Sequence, residues 1–178
     1  MSDKMNEKDI TNQESATPII DTDAYVPQKM ADRVGQVAIA KANLGFLTTL
    51  ALSILAGVFI ALGIQLAMLV THTATSNYGL NALVGGVVFT MALILIVITG
   101  AELFTGNCLI GMSFFARIIT ARDITRNLII AFIGNFLGAL SVVFWIYISA
   151  QWTINDFLLG AKIVIAANDK VNMSFGVA

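Results

Sequence analysis

The chain has 178 residues, of which 57% are hydrophobic and only 12% are charged. An ordinary soluble domain is about 45–50% apolar and about 25% charged, so this composition is typical of a protein solvated by lipid. The net charge of −1 gives no basic surface for nucleic acid, and one cysteine and one histidine cannot form a zinc site of the usual spacing.

Two segments precede the first long apolar run. Residues 1–26 are polar, lack the basic start and apolar middle of a signal peptide, and are predicted to be a disordered tail. Residues 27–43 are predicted to form an amphipathic helix, because Met30, Val34, Val37 and Ala38 share one face. The pattern fits a helix at the membrane interface and equally an ordinary solvent-side helix; the apolar run that follows favours the interface.

The first predicted span covers residues 44–70, which exceeds the roughly 20 helical residues that cross a hydrocarbon core of about 30 Å. A polar connector, residues 72–78, follows it. His72 has no ligand-forming neighbour in this connector, so it is interpreted as a plain loop residue. Cys108 lies in a later apolar run and is interpreted as a packing residue.

Residues 80–115 are apolar throughout except near their middle. A straight helix of that length would reach about 50 Å, which is too long for one crossing. Irregular polar backbone at membrane depth is tolerated only when it is buried in protein or lines a watery cavity. The sequence therefore predicts a second span that is broken by a loop inside the bilayer. The middle contains two glycines and three polar residues: Gly100, Glu102, Thr105, Gly106 and Asn107.

The segment 116–127 carries three arginines against one acid, and the positive-inside rule places it in the cytoplasm. The basic residues before the first span place the N-terminus on the same side, which agrees with two crossings between them. The third predicted span, residues 128–148, then leads outward to an aromatic belt. That belt consists of Trp145, Tyr147 and Trp152.

The third span has a small-residue face, with Asn135 as the one polar group, which is typical of close packing between membrane helices. The small residues are Gly134, Gly138 and Ala139. Residues 155–170 are mixed in character, and the final MSFGVA is similar to the start of a further helix. Three spans and the start of a fourth predict a C-terminally truncated chain. Residues 44–178 would then be the first half of a transmembrane pore protein built from inverted repeats.

The run VGGVVFTMALILIVITGAELFTGNCLIG, followed by FIGNFLGAL, resembles the formate/nitrite transporter family. The resemblance extends over residues 27–178 and is most specific in GAELFTGN, residues 100–107. It implies an all-α, aquaporin-like fold in a homopentamer of the cytoplasmic (inner) membrane, surrounded by lipid, with a cytoplasmic N-terminus. Each protomer is then expected to have its own pore for small monovalent anions such as formate, nitrite or hydrosulfide, without a metal or other cofactor.

The resemblance also implies roles for individual residues. Leu103, Phe104 and Thr105 match the loop that breaks the second helix and narrows the pore, where the Thr105 hydroxyl meets the ion. Phe89 and Leu93 match apolar constriction positions, and their spacing of i and i+4 lets both face one lumen. Without the resemblance, ordinary helix packing is the simpler interpretation of that pair.

Two charged residues, Lys170 and Glu102, lie near the predicted pore. Lys170 matches a family lysine at the outer mouth, where its charge would draw anions. The residues alone equally allow a lysine that reaches toward the membrane interface. Glu102 is unusual beside an anion path, and we expect it to hold the loop by accepting hydrogen bonds away from the lumen, with Gly100, Gly106 and Asn107 as further structural residues.

An anion that crosses an apolar constriction loses hydration, so the pore must supply donors or neutralise the ion. The predicted donors are Thr105 and the free N–H groups at the start of the half-helix after the break. The pore histidine of the family belongs to a second broken helix that this chain does not reach, and His72 does not replace it. Formate ranks first because GAELFTGNC is most similar to formate-type members.

Three other classes remain to be weighed. An aquaporin-like pore for neutral solutes would be expected to carry NPA motifs, and the sequence has none. A membrane assembly subunit without a pore could use the broken helix for packing alone. An enzyme has the least support, because no nucleophile, base and orienting group lie together in the sequence.

Overall fold

The computed structural model describes residues 27–73 and 77–174. The predicted tail, residues 1–26, and the last four residues of MSFGVA lie outside these ranges. The described residues form α-helices and one short 3₁₀ helix, with no strand among them, so the predicted all-α class is confirmed. The elements are α1 Pro27–Ala42, α2 Phe46–Thr71, α3 Tyr78–Thr99, α4 Phe104–Asn107, α5 Ile110–Phe115, α6 Ala121–Ile148, the 3₁₀ helix Gln151–Thr153 and α7 Leu158–Val171.

The chain divides into two compact units, Met1–Arg33 and Val34–Ala178. The described part of the first unit is the start of α1. In the second unit Ala38, from the predicted apolar face of α1, is buried, whereas Val37 is exposed. The interfacial position of this helix stays a prediction.

Three of the described helices, α2, α3 and α6, are long and apolar enough to cross a membrane, with mean hydropathies of 2.3, 2.7 and 2.2. The predicted number of complete spans is therefore confirmed, and α2 lies within two residues of its predicted bounds. Their outward side chains are exposed, as at Leu47 and Val97. Such surfaces suit contact with lipid or with further membrane helices.

α2 packs most extensively against α6, and small residues make this approach possible. A Cβ atom added to Gly57 would overlap the Asn135 carbonyl, and one added to Gly138 would overlap the Ile54 carbonyl. Gly134 is equally close to Ser53. The predicted small-residue face of α6 is thus confirmed as a close helix contact.

α6 begins at Ala121, earlier than the predicted start at residue 128, so the predicted loop over residues 116–127 is too long. The reason is a capping box: the Asp123 N–H donates to Thr120 Oγ1 at 3.3 Å, and the Thr120 N–H donates to the Asp123 carboxylate at 3.2 Å. Hydropathy detects the apolar part of a helix, whereas this cap starts α6 in the charged part. Arg122 and Arg126 consequently lie on its first turns.

The segment after α6 folds back on the end of α2 through side-chain contacts. Gln65 donates to Gln151 at 2.9 Å, and the His72 ring lies 3.0 Å from the Asn155 amide, so His72 is part of a contact and is not a plain loop residue. Lys162 donates to the Thr71 carbonyl and hydroxyl. Partial burial lowers the pKa of the Lys162 ammonium. α7 was not predicted from the mixed sequence of residues 155–170. The predicted start of a fourth span falls mostly outside the described residues.

Candidate functional site: a helix break lined by buried polar groups

The break between α3 and α4 begins at Gly100, whose φ of 63° lies in the left-handed region that favours glycine. The Ala101 N–H donates back to the Ile96 carbonyl at 3.1 Å, which closes the end of α3. Residues 101–103 are not helical, and α4 begins at Phe104. The depth of this break in a bilayer stays a prediction.

The segment after the break, Phe104–Phe115, is a short apolar helix that a turn at residues 108–109 divides into α4 and α5. Between them the Leu109 N–H donates to Gly106 O at 3.3 Å and the Gly111 N–H donates to Cys108 O at 3.0 Å. These bonds span three residues and tighten the chain into a turn. Cys108 is exposed in this turn, and its packing role stays a prediction.

A cluster of buried polar side chains lies directly beside the break. Glu102 Oε1 accepts from Lys41 Nζ at 2.9 Å, and Glu102 Oε2 accepts from Asn107 Nδ2 at 2.6 Å. Asn107 also accepts from Lys41 at 2.8 Å and donates to Asn127 Oδ1 at 2.8 Å. A buried carboxylate is costly unless it is paired and hydrogen-bonded, and here it is both. We call Lys41, Glu102, Asn107 and Asn127 the polar cluster.

Asn135 holds the break from the opposite helix, α6. Its Oδ1 accepts from the Phe104 N–H at 2.9 Å, and its Nδ2 donates to the Ser53 carbonyl at 2.7 Å and the Glu102 carbonyl at 2.9 Å. The amide therefore joins α2, the break and α6. The Phe104 N–H, the first of α4, is therefore occupied, although the N–H groups at this helix start had been predicted to be free. A helix of four residues also offers little macrodipole.

The three predicted loop residues lie in three different surroundings. Leu103 packs against a buried apolar cluster that contains Ala56 and Ile96. The Phe104 ring meets the Phe132 ring edge to face, with centroids 5.8 Å apart. Thr105 is exposed, and its hydroxyl has no hydrogen-bond partner within residues 27–73 and 77–174.

The other two predicted constriction residues, Phe89 and Leu93, lie on α3. Phe89 is half-buried beside Gly63, where its ring would lie 3.4 Å from an added Cβ, and Leu93 is exposed. Gly63 lies two turns, or about 10 Å, along α2 from Ala56, where Leu103 packs. Leu103 and Phe89 therefore lie beside different stretches of α2.

The remaining predicted site residue, Lys170, lies exposed in the last turn of α7. Gly106 is exposed in α4, beside the buried Asn107. The described residues contain no group of three histidine, cysteine or acidic side chains that could hold a metal ion. Sequence reasoning missed Lys41, Asn127 and the role of Asn135. The available signal was an asparagine inside an apolar helix, which needs a buried partner.

Three long apolar helices define a multi-pass α-helical membrane protein, and within the described residues every buried side-chain nitrogen and oxygen atom has a hydrogen-bond partner. The family model described as "Formate/nitrite transporter" matches residues 28–178, and the chain belongs to this family. It is a family of channels and transporters, not of enzymes.

Comparisons with individual proteins agree with this assignment. The chain is 32% identical to the formate channel FocA of Escherichia coli K12 over 154 residues, which cover 86% of this chain and 54% of FocA. It is 34% identical to the uncharacterized transporter YrhG of Bacillus subtilis over 153 residues, which cover 84% of this chain and 57% of YrhG. A solved FNT family ion channel superposes with a TM-score of 0.63 and 25% identity, over 69% of this chain and 50% of that one. The chain spans about half the length of the curated relatives it matches.

Proposed function

We propose that this chain contributes half of a membrane pore for small monovalent anions, with formate as the first candidate. The observation that carries the proposal is the broken helix, which lies in the most family-like part of the sequence and presents the unpartnered Thr105 hydroxyl. FocA, at 32% identity, is a formate channel, which favours formate over nitrite or hydrosulfide.

The proposed mechanism divides the work between apolar and polar groups. Phe89, Leu93, Leu103 and Phe104 would form apolar walls that strip water from the ion, and water removal strengthens any hydrogen bond that replaces it. The Thr105 hydroxyl would donate to the anion at the break. Most other hydroxyls nearby are already engaged with backbone carbonyls; Thr99, for example, donates to Leu95 O at 2.7 Å.

Further parts of the proposal concern assembly and orientation. We place the pore in the cytoplasmic membrane as a homopentamer, with the N-terminus and the arginines of early α6 on the cytoplasmic side. On that orientation the far end of α2 and α7 face outward. Lys170, exposed in the last turn of α7, would then draw anions to the outer mouth.

The test is formate flux through the purified full-length protein in proteoliposomes, for wild type and for Thr105→Val. Valine keeps the shape of threonine but lacks its hydroxyl, so we expect flux to fall by on the order of tenfold, the effect of losing one hydrogen bond of about 1.5 kcal/mol. The matched control is Thr90→Val, because the Thr90 hydroxyl donates to Val87 O of its own helix at 2.6 Å.

The outcomes separate the rival functions. Equal flux in wild type and Thr105→Val would remove Thr105 from the pore. Nitrite and hydrosulfide, tested in the same vesicles, rank the substrates, and preferential glycerol flux would indicate a neutral-solute pore. Well-assembled protein that carries none of these solutes would be an assembly subunit.

A further inference from the structure

Glu102 places a carboxylate within three residues of the proposed anion-binding hydroxyl of Thr105. Between Lys41 and Arg117 it is the only formally charged residue in the sequence. A fixed negative charge at this place would repel the anions that the pore is proposed to conduct. A group that offsets this charge must therefore come from outside the broken helix.

Lys41, at the end of α1, is that group. Its ammonium lies 2.9 Å from Glu102 Oε1, and the side chain of Glu102 is 3% exposed whereas that of Lys41 is 24% exposed. The same ammonium donates to Asn107 Oδ1 at 2.8 Å. Arg126 does not compete for this carboxylate in the structure, because its guanidinium donates to the Leu44 carbonyl at 3.3 Å.

We propose that Lys41 is the counter-ion that cancels the charge of Glu102, so that the break presents no net negative charge to an anion at Thr105. The inference rests on the proposed function. It gives Lys41 an electrostatic role in conduction in addition to its structural one. Because its ammonium is bound to Glu102 and Asn107, Lys41 acts through Glu102 and does not itself hold the anion.

The charge role and a purely structural role differ in what happens when both charges are removed. Lys41→Gln leaves the carboxylate uncompensated, whereas Glu102→Gln leaves a cation that is partly exposed to water. The double variant Lys41→Gln/Glu102→Gln has neither charge and keeps amide groups that can hydrogen-bond. If the net charge at the break controls formate flux, the double variant conducts formate. If the ion pair only holds the structure together, the double variant conducts formate as poorly as the single variants do.

The experiment measures formate flux per assembled protein in proteoliposomes and the reversal potential in planar bilayers under a sodium formate gradient. We expect Lys41→Gln to reduce flux on the order of tenfold, the effect of one unit charge within about 10 Å at an effective dielectric constant of 20, and to lower the preference for anions. Glu102→Gln should lose less flux than Lys41→Gln and should keep the anion preference, because it removes the negative charge beside Thr105. The double variant should recover flux to within about threefold of wild type, since no net charge remains. Lys29→Gln is the matched control, because Lys29 is exposed on the same helix.

The inference would be overturned if Lys41→Gln had the flux and reversal potential of wild type. It would also be overturned if the double variant had no higher flux than Lys41→Gln. Absence of formate flux in wild type would instead refute the proposed function. In that case thermal unfolding still tests whether Lys41 offsets the charge of Glu102. Lys41→Gln should have a lower Tm than the double variant, and equal Tm values would show that the buried charge needs no counter-ion.

Discussion

The seam between α2 and α6, formed by Gly57, Gly134 and Gly138, and the break between α3 and α4 both depend on α6, but different atoms hold them. At the seam, backbones touch because the glycines have no side chain. At the break, the Asn135 amide and the polar cluster satisfy groups that no helix satisfies. The seam is therefore sensitive to volume and the break is sensitive to polarity.

The seam and the break should therefore tolerate different substitutions. A membrane interior gives little hydrophobic driving force between helices, so the seam relies on close van der Waals contact. The break leaves backbone groups without a helical partner, such as the Phe104 N–H and the Glu102 carbonyl, so it relies on side-chain donors and acceptors. A substitution that one region tolerates should disrupt the other.

The largest effect is expected from Gly138→Ala, which adds a single Cβ atom at the seam. That atom would overlap the Ile54 carbonyl, and a backbone atom in a packed helix cannot move aside cheaply. We expect a loss of about 3 kcal/mol of stability or more, seen as a lower Tm and a smaller monodisperse fraction in size-exclusion chromatography.

The control for this variant is Gly86→Ala on α3, where an added Cβ has nothing within 4 Å. Alanine favours the helix there, so stability should be unchanged or rise by up to about 1 kcal/mol. Equal behaviour of the two alanine variants would show that the seam is not volume-limited.

A smaller effect is expected from Asn135→Leu, which keeps approximate volume at the break but removes its amide. The Phe104 N–H and the Glu102 carbonyl lose their partner, at a cost of about 1–3 kcal/mol for each buried group. Thermal unfolding should show a lower Tm. Because the position of Phe104 is no longer fixed, the ratio of acetate flux to formate flux should rise.

Asn43→Leu serves as the comparison, since Asn43 is exposed at the end of α1. An Asn135→Leu protein with unchanged Tm and unchanged acetate exclusion would mean that water or another group satisfies the break. The contrast between seam and break would then lose its physical basis.

The two regions were also unequally predictable from sequence. Gly134, Asn135 and Gly138 predicted the seam, because small residues at helical spacing have one common use in membranes. Gly100 and the polar residues after it predicted a break. The partners of the break were not predictable, because Lys41 lies 61 residues from Glu102 and only the folded chain brings them together. Thr120 and Asp123 have the spacing of a capping box, so the start of α6 could have been predicted from sequence. The predicted start followed the hydropathy pattern instead.

The smallest effect is expected from Lys170→Gln, which lies outside both regions and so sets a baseline for them. Lys170 is exposed in the last turn of α7, so its replacement should leave Tm unchanged. If its charge draws anions to an outer vestibule, flux should fall severalfold at most at low formate concentration, where capture limits transport, and approach wild type at saturation.

Lys170→Arg should largely restore flux, because only the charge is required. Raising salt from about 0.01 M to about 0.15 M shortens the screening length from about 30 Å to about 8 Å, so the difference between Lys170→Gln and wild type should shrink. A lysine that only anchors a helix end at the interface predicts the reverse pattern, with less assembled protein but normal flux per assembled protein. Wild-type flux in Lys170→Gln at low salt and low formate would exclude the vestibule role and leave the break as the proposed selective element of this half.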